Sequence, residues 1–191
     1  MARRLSARLD ATLILSNYSR LVIDCNRNPG HPDSILATSD GIEIPGNTEI
    51  TELDSMRRRR ALFEPYQLAI ANVLGQRDQR DIRLLSIHSF TPSLNGVTRP
   101  WSAGVCSGTD SRWAREMFLA MKNHTGEIIG YNRPYSIETD CDYTIPVQGD
   151  GRGISSLMLE IRQDKLADDL GVQRWCNIIV SILEHPRGLH G

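Results

Sequence analysis

Four short apolar runs constrain this chain more than any other feature: "ATLILS" from position 11, "RLVIDC" from 20, "DIRLLSIHSF" from 81 and "SSLMLEIRQD" from 155. Short, nearly continuous runs containing β-branched residues suit strands covered on both faces, as in a parallel or mixed sheet flanked by helices, although periodicity alone does not separate them from buried helix segments. Between them lie helical patterns. The segment "TELDSMRRRRALFEPYQLAIANVLGQR" places Leu53, Met56, Leu62, Leu68, Ala71 and Val73 at helical spacings, with Pro65 expected to start, kink or end a helix. In "DSRWAREMFLAMKNHTG", Asp110 is a candidate cap, Trp113, Met117 and Met121 recur every four residues as core positions, and Gly126 is a stop. Ile178, Ile179, Ile182 and Leu183 form a further stripe ending at Pro186 and Gly188, and Leu5 and Leu9 lie one helical turn apart. Strands alternating with helices specify one α/β layered domain over residues 1–191.

Two turn-rich stretches, "NRNPGHPDSILATSDGIEIPGNTE" and "GYNRPYSIETDCDYTIPVQGDGRG", interrupt the pattern. Their apolar residues, Ile42, Ile44, Tyr135 and Tyr143, are expected to anchor ordered loops that shape a site.

Composition narrows the function. The chain of 191 residues has 22 Lys plus Arg against 23 Asp plus Glu and 6% aromatics, so it offers neither a global attraction to polyanions nor many stacking platforms. Nucleic acid is not an expected partner. The run Arg57–Arg60 is flanked by Glu49, Glu52, Asp54 and Glu64 and reads as the charged face of a helix. No apolar stretch is long enough to cross a membrane, and the start "MARRLSARLDATLILS" lacks a secretory pattern, so the cytosol is the expected compartment. Cys25, Cys106, Cys141 and Cys176 show no paired spacing and are expected to be reduced. A phosphate-binding glycine loop, a dinucleotide fingerprint, H-E-x-x-H and G-x-S-x-G are all missing.

Candidate chemistry gathers at the ends of the apolar runs, where ligands enter α/β sheets. Asp24, Asn26 and Arg27 follow "LVI", His88 follows "LLSI", and Glu160 and Arg162 lie in "LMLEIR". One reading makes His88 a ligand for a divalent ion and Glu160 the base that moves a proton from water to a leaving amine. The plain alternative has His88 capping a strand and Glu160 pairing with Arg162 or Arg27. Arg99, Arg133 and Arg162 carry guanidinium forks suited to a substrate carboxylate, or to ordinary salt bridges. Asn132 offers a donor and an acceptor for an amide, and Tyr135 can close a pocket or join the core. A covalent route with Ser86, Ser89, Cys25 or Cys106 attacking and His88 as base requires contact distances that spacing does not supply. Ser86 and Ser89 read more simply as groups bonding the local backbone. His31, His124, His185 and His190 show no supporting ligand pattern.

Taken in order, "YSRLVIDCNR", "IHSFTP" with "RPW", "YNRPYS" and "LEIRQD" resemble the N-formylglutamate amidohydrolase family, from Tyr18 to the helix carrying Trp175. The resemblance implies a three-layer α/β sandwich with a mixed, mostly parallel sheet, similar to zinc-dependent exopeptidases. It also implies metal-dependent hydrolysis of N-formyl-L-glutamate, or of a related small N-acylated acidic amino acid, within one route of histidine breakdown. By motif, His88 corresponds to a metal ligand, zinc being the expected ion, and Glu160 to the proton-handling carboxylate. Asn26, Arg27, Arg99, Asn132, Tyr135 and Arg162 correspond to pocket residues. Relative to that family the chain is expected to lack the first strand and part of the first helix, with the metal-site residues they carry, and relatives often place histidine where Gln148 stands. The rival expectation is a family member that binds an acidic small molecule without turnover. A shortened chain exposing a sheet edge would also be open to self-association.

Overall fold

The computed structural model describes residues 1–77, 82–109 and 111–185. In chain order the elements are α1 (Ala2–Leu9), β1 (Thr38–Ser39), β2 (Ile42–Glu43), α2 (Glu52–Arg58), α3 (Glu64–Gly75), β3 (Arg83–Phe90), β4 (Ser93–Leu94), β5 (Val97–Thr98), β6 (Ala103–Cys106), α4 (Arg112–Thr125), β7 (Ile129–Tyr131), β8 (Ser155–Arg162) and α5 (Asp169–Glu184). They form two compact units: Met1–Leu13, Leu84–Ser136 and Ser155–Gly191 make the first, and Ile14–Arg83 with Ile137–Ile154 the second.

The first unit is built on a four-stranded sheet of order β3-β8-β6-β7, in which β6 runs parallel to β7 and antiparallel to β8. Alternation along the strands assigns the faces. Leu157, Leu159 and Ile161 of β8, Ala103 and Val105 of β6 and Ile129 of β7 share one core with Leu5 of α1, Trp113, Met117 and Met121 of α4, and Trp175, Ile179 and Ile182 of α5. Leu85 and Ile87 of β3 and Tyr131 of β7 pack against the same core. Each large side chain buried there contributes about 1.5–3 kcal/mol. The sheet with these helices establishes the α/β class.

The opposite face carries Ser86, His88 and Phe90 from β3, Ser156, Met158 and Glu160 from β8, and two glycines. Gly104 of β6 stands beside both Glu160 and Gly130 of β7 in register. A Cβ on Gly104 would fall 1.9 Å from the backbone oxygen of Arg133, and one on Gly130 would fall 2.7 Å from that oxygen and from Arg133 Cβ. The bare glycines let the 132–134 loop lie against the sheet next to Glu160. Neither β6 ("AGVC") nor β7 ("IGY") stands out in the sequence, because glycine carries no apolar signal.

Ser111 caps α4, its hydroxyl accepting from the Ala114 amide at 3.3 Å, and Gly126 ends the helix at φ 63°. The expected cap Asp110 and the expected stops Pro186 and Gly188 lie outside the described residues.

In the second unit, α2 and α3 are joined through the wider turn Arg59–Phe63, where the Glu64 amide donates to the Arg59 carbonyl. Pro65 follows at the start of α3; lacking an N–H and crowding the preceding turn, it accounts for the widening. Phe63 packs with Ile23, Cys25 and Tyr143, its ring 4.9 Å from that of Tyr143. Within the basic run, Arg57 pairs with Asp54 and Arg59 with Glu64, while Arg58 donates to the Val22 and Gly46 carbonyls and to Asn47 Oδ1. Residues 144–149, read from sequence as loop, form a helical turn. The expected anchor Ile42 is exposed.

Two of the four apolar runs form strands, β3 and β8. The others, 11–16 and 20–25, do not. Ile23 and Cys25 bury their side chains against Phe63, while the backbone around them turns, Val22 N donating to Ser19 O at 3.0 Å and Asp24 N to Ser34 O at 2.8 Å. Apolar character there reports burial without a ladder partner.

Two expectations follow. Gly104→Ala should destabilise the protein by at least about 2 kcal/mol, since the obstacle is backbone and cannot swing away; urea denaturation would measure it, and an unchanged midpoint would contradict the close approach. Glu127 pairs with Lys165 and Arg174 in the first unit. Burial alone would raise its pKa, but hydrogen bonds from Ser102, Lys165 and Arg174 outweigh that and bring it from 4.5 to about 2. A folded-state pKa below the unfolded one gives stability that is full above pH 4.5 and is lost as pH falls through about 2. Glu127→Gln should therefore cost about 1–2 kcal/mol at pH 7 and little near pH 2, read from denaturation curves at both.

Candidate functional site

His88 and Glu160 project from the same face of neighbouring strands, and strands so paired lie about 4.8 Å apart. Glu160 is buried. Ser86 lies two residues before His88 on that face, with its hydroxyl 2.9 Å from His88 Nε2, so it bonds the imidazole and not the local backbone. The 132–135 segment enters this face over the two glycines. Asn132 adopts φ 50°, a conformation asparagine tolerates, and its Oδ1 accepts from the Ser107 amide at 3.0 Å. The Arg133–Pro134 peptide is cis.

Arg99 completes the group. Its guanidinium stacks 5.0 Å from the Tyr135 ring centre and 5.8 Å from that of Phe90, and Nη1 donates to the Tyr135 hydroxyl at 2.8 Å. It is buried, and among the described residues no carboxylate lies within ion-pair distance of it. A buried guanidinium held by aromatic faces and one phenol retains donors for a planar anion.

Arg162 takes up the salt-bridge alternative. Its Nε and Nη2 grip both oxygens of Asp164, at 2.7 and 3.0 Å, and Nη1 donates to the Arg99 carbonyl at 2.9 Å. The mutual interaction with Asp164 lowers that carboxyl's pKa and raises that of Arg162. With its fork engaged, Arg162 supports the backbone that carries Arg99 and does not present a free fork to a ligand.

Asn26 and Arg27 belong to the second unit and are engaged within it. Asn26 is buried, its Nδ2 donating to Asp142 Oδ1 at 3.2 Å and its Oδ1 accepting from the Thr144 amide at 3.0 Å. Arg27 forms an ion pair with Asp142 and an antiparallel bridge to it, leaving Nε buried without an acceptor. Burial dominates at Asp142 and lifts its pKa despite the pairing. Gln148 is buried between Gln67, to which it donates at 3.1 Å, and Arg152, from which it accepts at 3.0 Å.

One set of potential ligands escaped the sequence reading. His31, Asp33 and Cys141 offer an imidazole nitrogen, a carboxylate oxygen and a thiol sulfur that all lie within 4.8 Å of one another, placing a His/Asp/Cys group able to hold a metal ion in the second unit. The H-x-D spacing is too common to signal a site, and Cys141 is distant in sequence. Among the described residues no helix is long and apolar enough to cross a membrane.

Comparison with known proteins agrees with this architecture. A crystal structure of the gene product Atu2144 from Agrobacterium tumefaciens is similar with a TM-score of 0.86 and 30% identity, over 96% of this chain and 73% of that one. No curated protein matches the chain. The family model described as N-formylglutamate amidohydrolase matches residues 1–167. The chain belongs to the N-formylglutamate amidohydrolase family.

Proposed function

We propose that the chain hydrolyses the amide bond of N-formyl-L-glutamate or of a closely related N-acylated acidic amino acid. Family membership supports amide hydrolysis. The observation that carries the substrate class is the buried Arg99, which has no carboxylate partner among the described residues and stacks on Phe90, a residue that alternates in step with His88 along β3. In this reading Arg99 takes the side-chain (γ) carboxylate of the substrate, with Tyr135 fixing the guanidinium plane, and Asn132 faces the amide. Glu160 removes the proton from the attacking water and returns it to the departing amine. The imidazole of His88 steadies the oxygen that gains charge as the carbonyl becomes tetrahedral.

Zinc is the ion the family resemblance brings with it. Catalytic zinc takes three protein ligands and an open position. Here His88 and Glu160 supply two donors on one face, and among the described residues His88 belongs to no group of three potential ligands. That pair does not fit a self-contained zinc centre, so the reaction steps above use the chain's own groups.

The 2.9 Å contact between Ser86 and His88 favours a second reading, in which the hydroxyl attacks and the imidazole is its base. Its mid-strand position argues against it, because Ser86 lacks the sharp turn that exposes a nucleophile.

Steady-state kinetics on N-formyl-L-glutamate test both. Glu160→Gln should lower kcat by at least about 100-fold in a folded protein. Arg99→Met should raise KM about 10- to 100-fold for the acidic substrate and change turnover of N-formyl-L-glutamine little. Ser86→Ala should retain most of the activity; complete loss, with a trapped acyl-enzyme in the parent protein, would transfer the mechanism to the serine. Binding of N-formyl-L-glutamate without formate release would identify a binding protein instead.

A further inference from the structure

We propose that His31, Asp33 and Cys141 form a zinc-binding site in the second unit, separate from the proposed amidase chemistry. Cys141 Sγ lies 3.9 Å from His31 Nδ1. Tetrahedral zinc with ordinary bonds to sulfur and nitrogen holds the two ligand atoms about 3.6 Å apart, so a few tenths of an ångström closes the pair. The Asp33 carboxylate lies within the 4.8 Å that bounds the group. A thiolate, an imidazole and a carboxylate select a zinc-class ion over calcium or magnesium, which prefer oxygen throughout. Three protein ligands leave a fourth position for water or a small anion.

The ligands are brought together by a built scaffold. The Asn28 amide donates to the Cys141 carbonyl at 2.8 Å, its side chain donates to the carbonyls of Thr139 and Asp140 at 3.1 and 2.8 Å, and Arg27 bridges to Asp142. On the other side the His31 amide bonds the Asn28 carbonyl at 2.8 Å, so the histidine and cysteine loops share one anchor residue. Asp33, Glu138 and Asp142 bring negative charge towards the thiol, and Arg27 brings positive charge. A thiol binds zinc as the thiolate, so the ion takes the place of its proton. The ring nitrogen Nδ1 accepts from the Asp33 amide at 3.1 Å; coordination replaces that bond or uses the other ring nitrogen.

Cys25, Cys106 and Cys176 are buried, and Cys141 is the partly exposed thiol. Metal-free protein titrated with Co²⁺ alone should develop a near-ultraviolet thiolate-to-cobalt band with one equivalent. Zn²⁺ should bleach it, Cys141→Ser should abolish it, and His88→Ala should leave it intact, which separates this site from the amidase reading. In the unaltered protein, Zn²⁺ should slow alkylation of Cys141 at least about tenfold, read by peptide mass spectrometry, so the result does not depend on a variant that folds. Absence of the band, its persistence in Cys141→Ser, or alkylation unaffected by Zn²⁺ would each overturn the proposal.

Discussion

The arrangement of the first unit depends on a steric allowance: the backbone of residues 132–134 lies against the sheet where Gly104 and Gly130 lack side chains. The closest approach, to the Arg133 carbonyl, leaves no room for a Cβ on Gly104. Because Gly104 is the cross-strand neighbour of Glu160, that allowance brings Asn132 and Tyr135 to the carboxylate's side of the sheet. The other face is ordinary core, whose aliphatic and tryptophan packing makes the strands rigid enough to present a site.

The sheet's two strongest strands and all the long helices were readable because their residues repeat at strand or helix spacing over enough positions. The short strands β6 and β7 were not, since alanine, glycine and cysteine give no pattern. The opposite error arose at Ile23 and Cys25, where apolar residues are buried by side-chain packing while the backbone turns. Composition reports burial in both cases, whereas a strand also requires a partner edge.

At the site, residues that share a motif context differ in the contacts that decide their use. Arg99 and Arg162 look alike as charged residues after apolar runs. One is held between aromatic rings, and the other is engaged by Asp164 and by backbone carbonyls. Arg27 resembles both and is taken up by Asp142. The His31–Asp33–Cys141 group was unreadable for a topological reason: Asn28 ties together loops that are remote along the chain.

Arg162 stands two residues beyond Glu160 on one strand and bonds the carbonyl of Arg99. On the proposed reading, a single stretch of backbone therefore sets the interval between the group that handles the proton and the fork that receives the anion. Such a built-in gauge ties the length of side chain the site would accept to the spacing of one strand and the loop it holds.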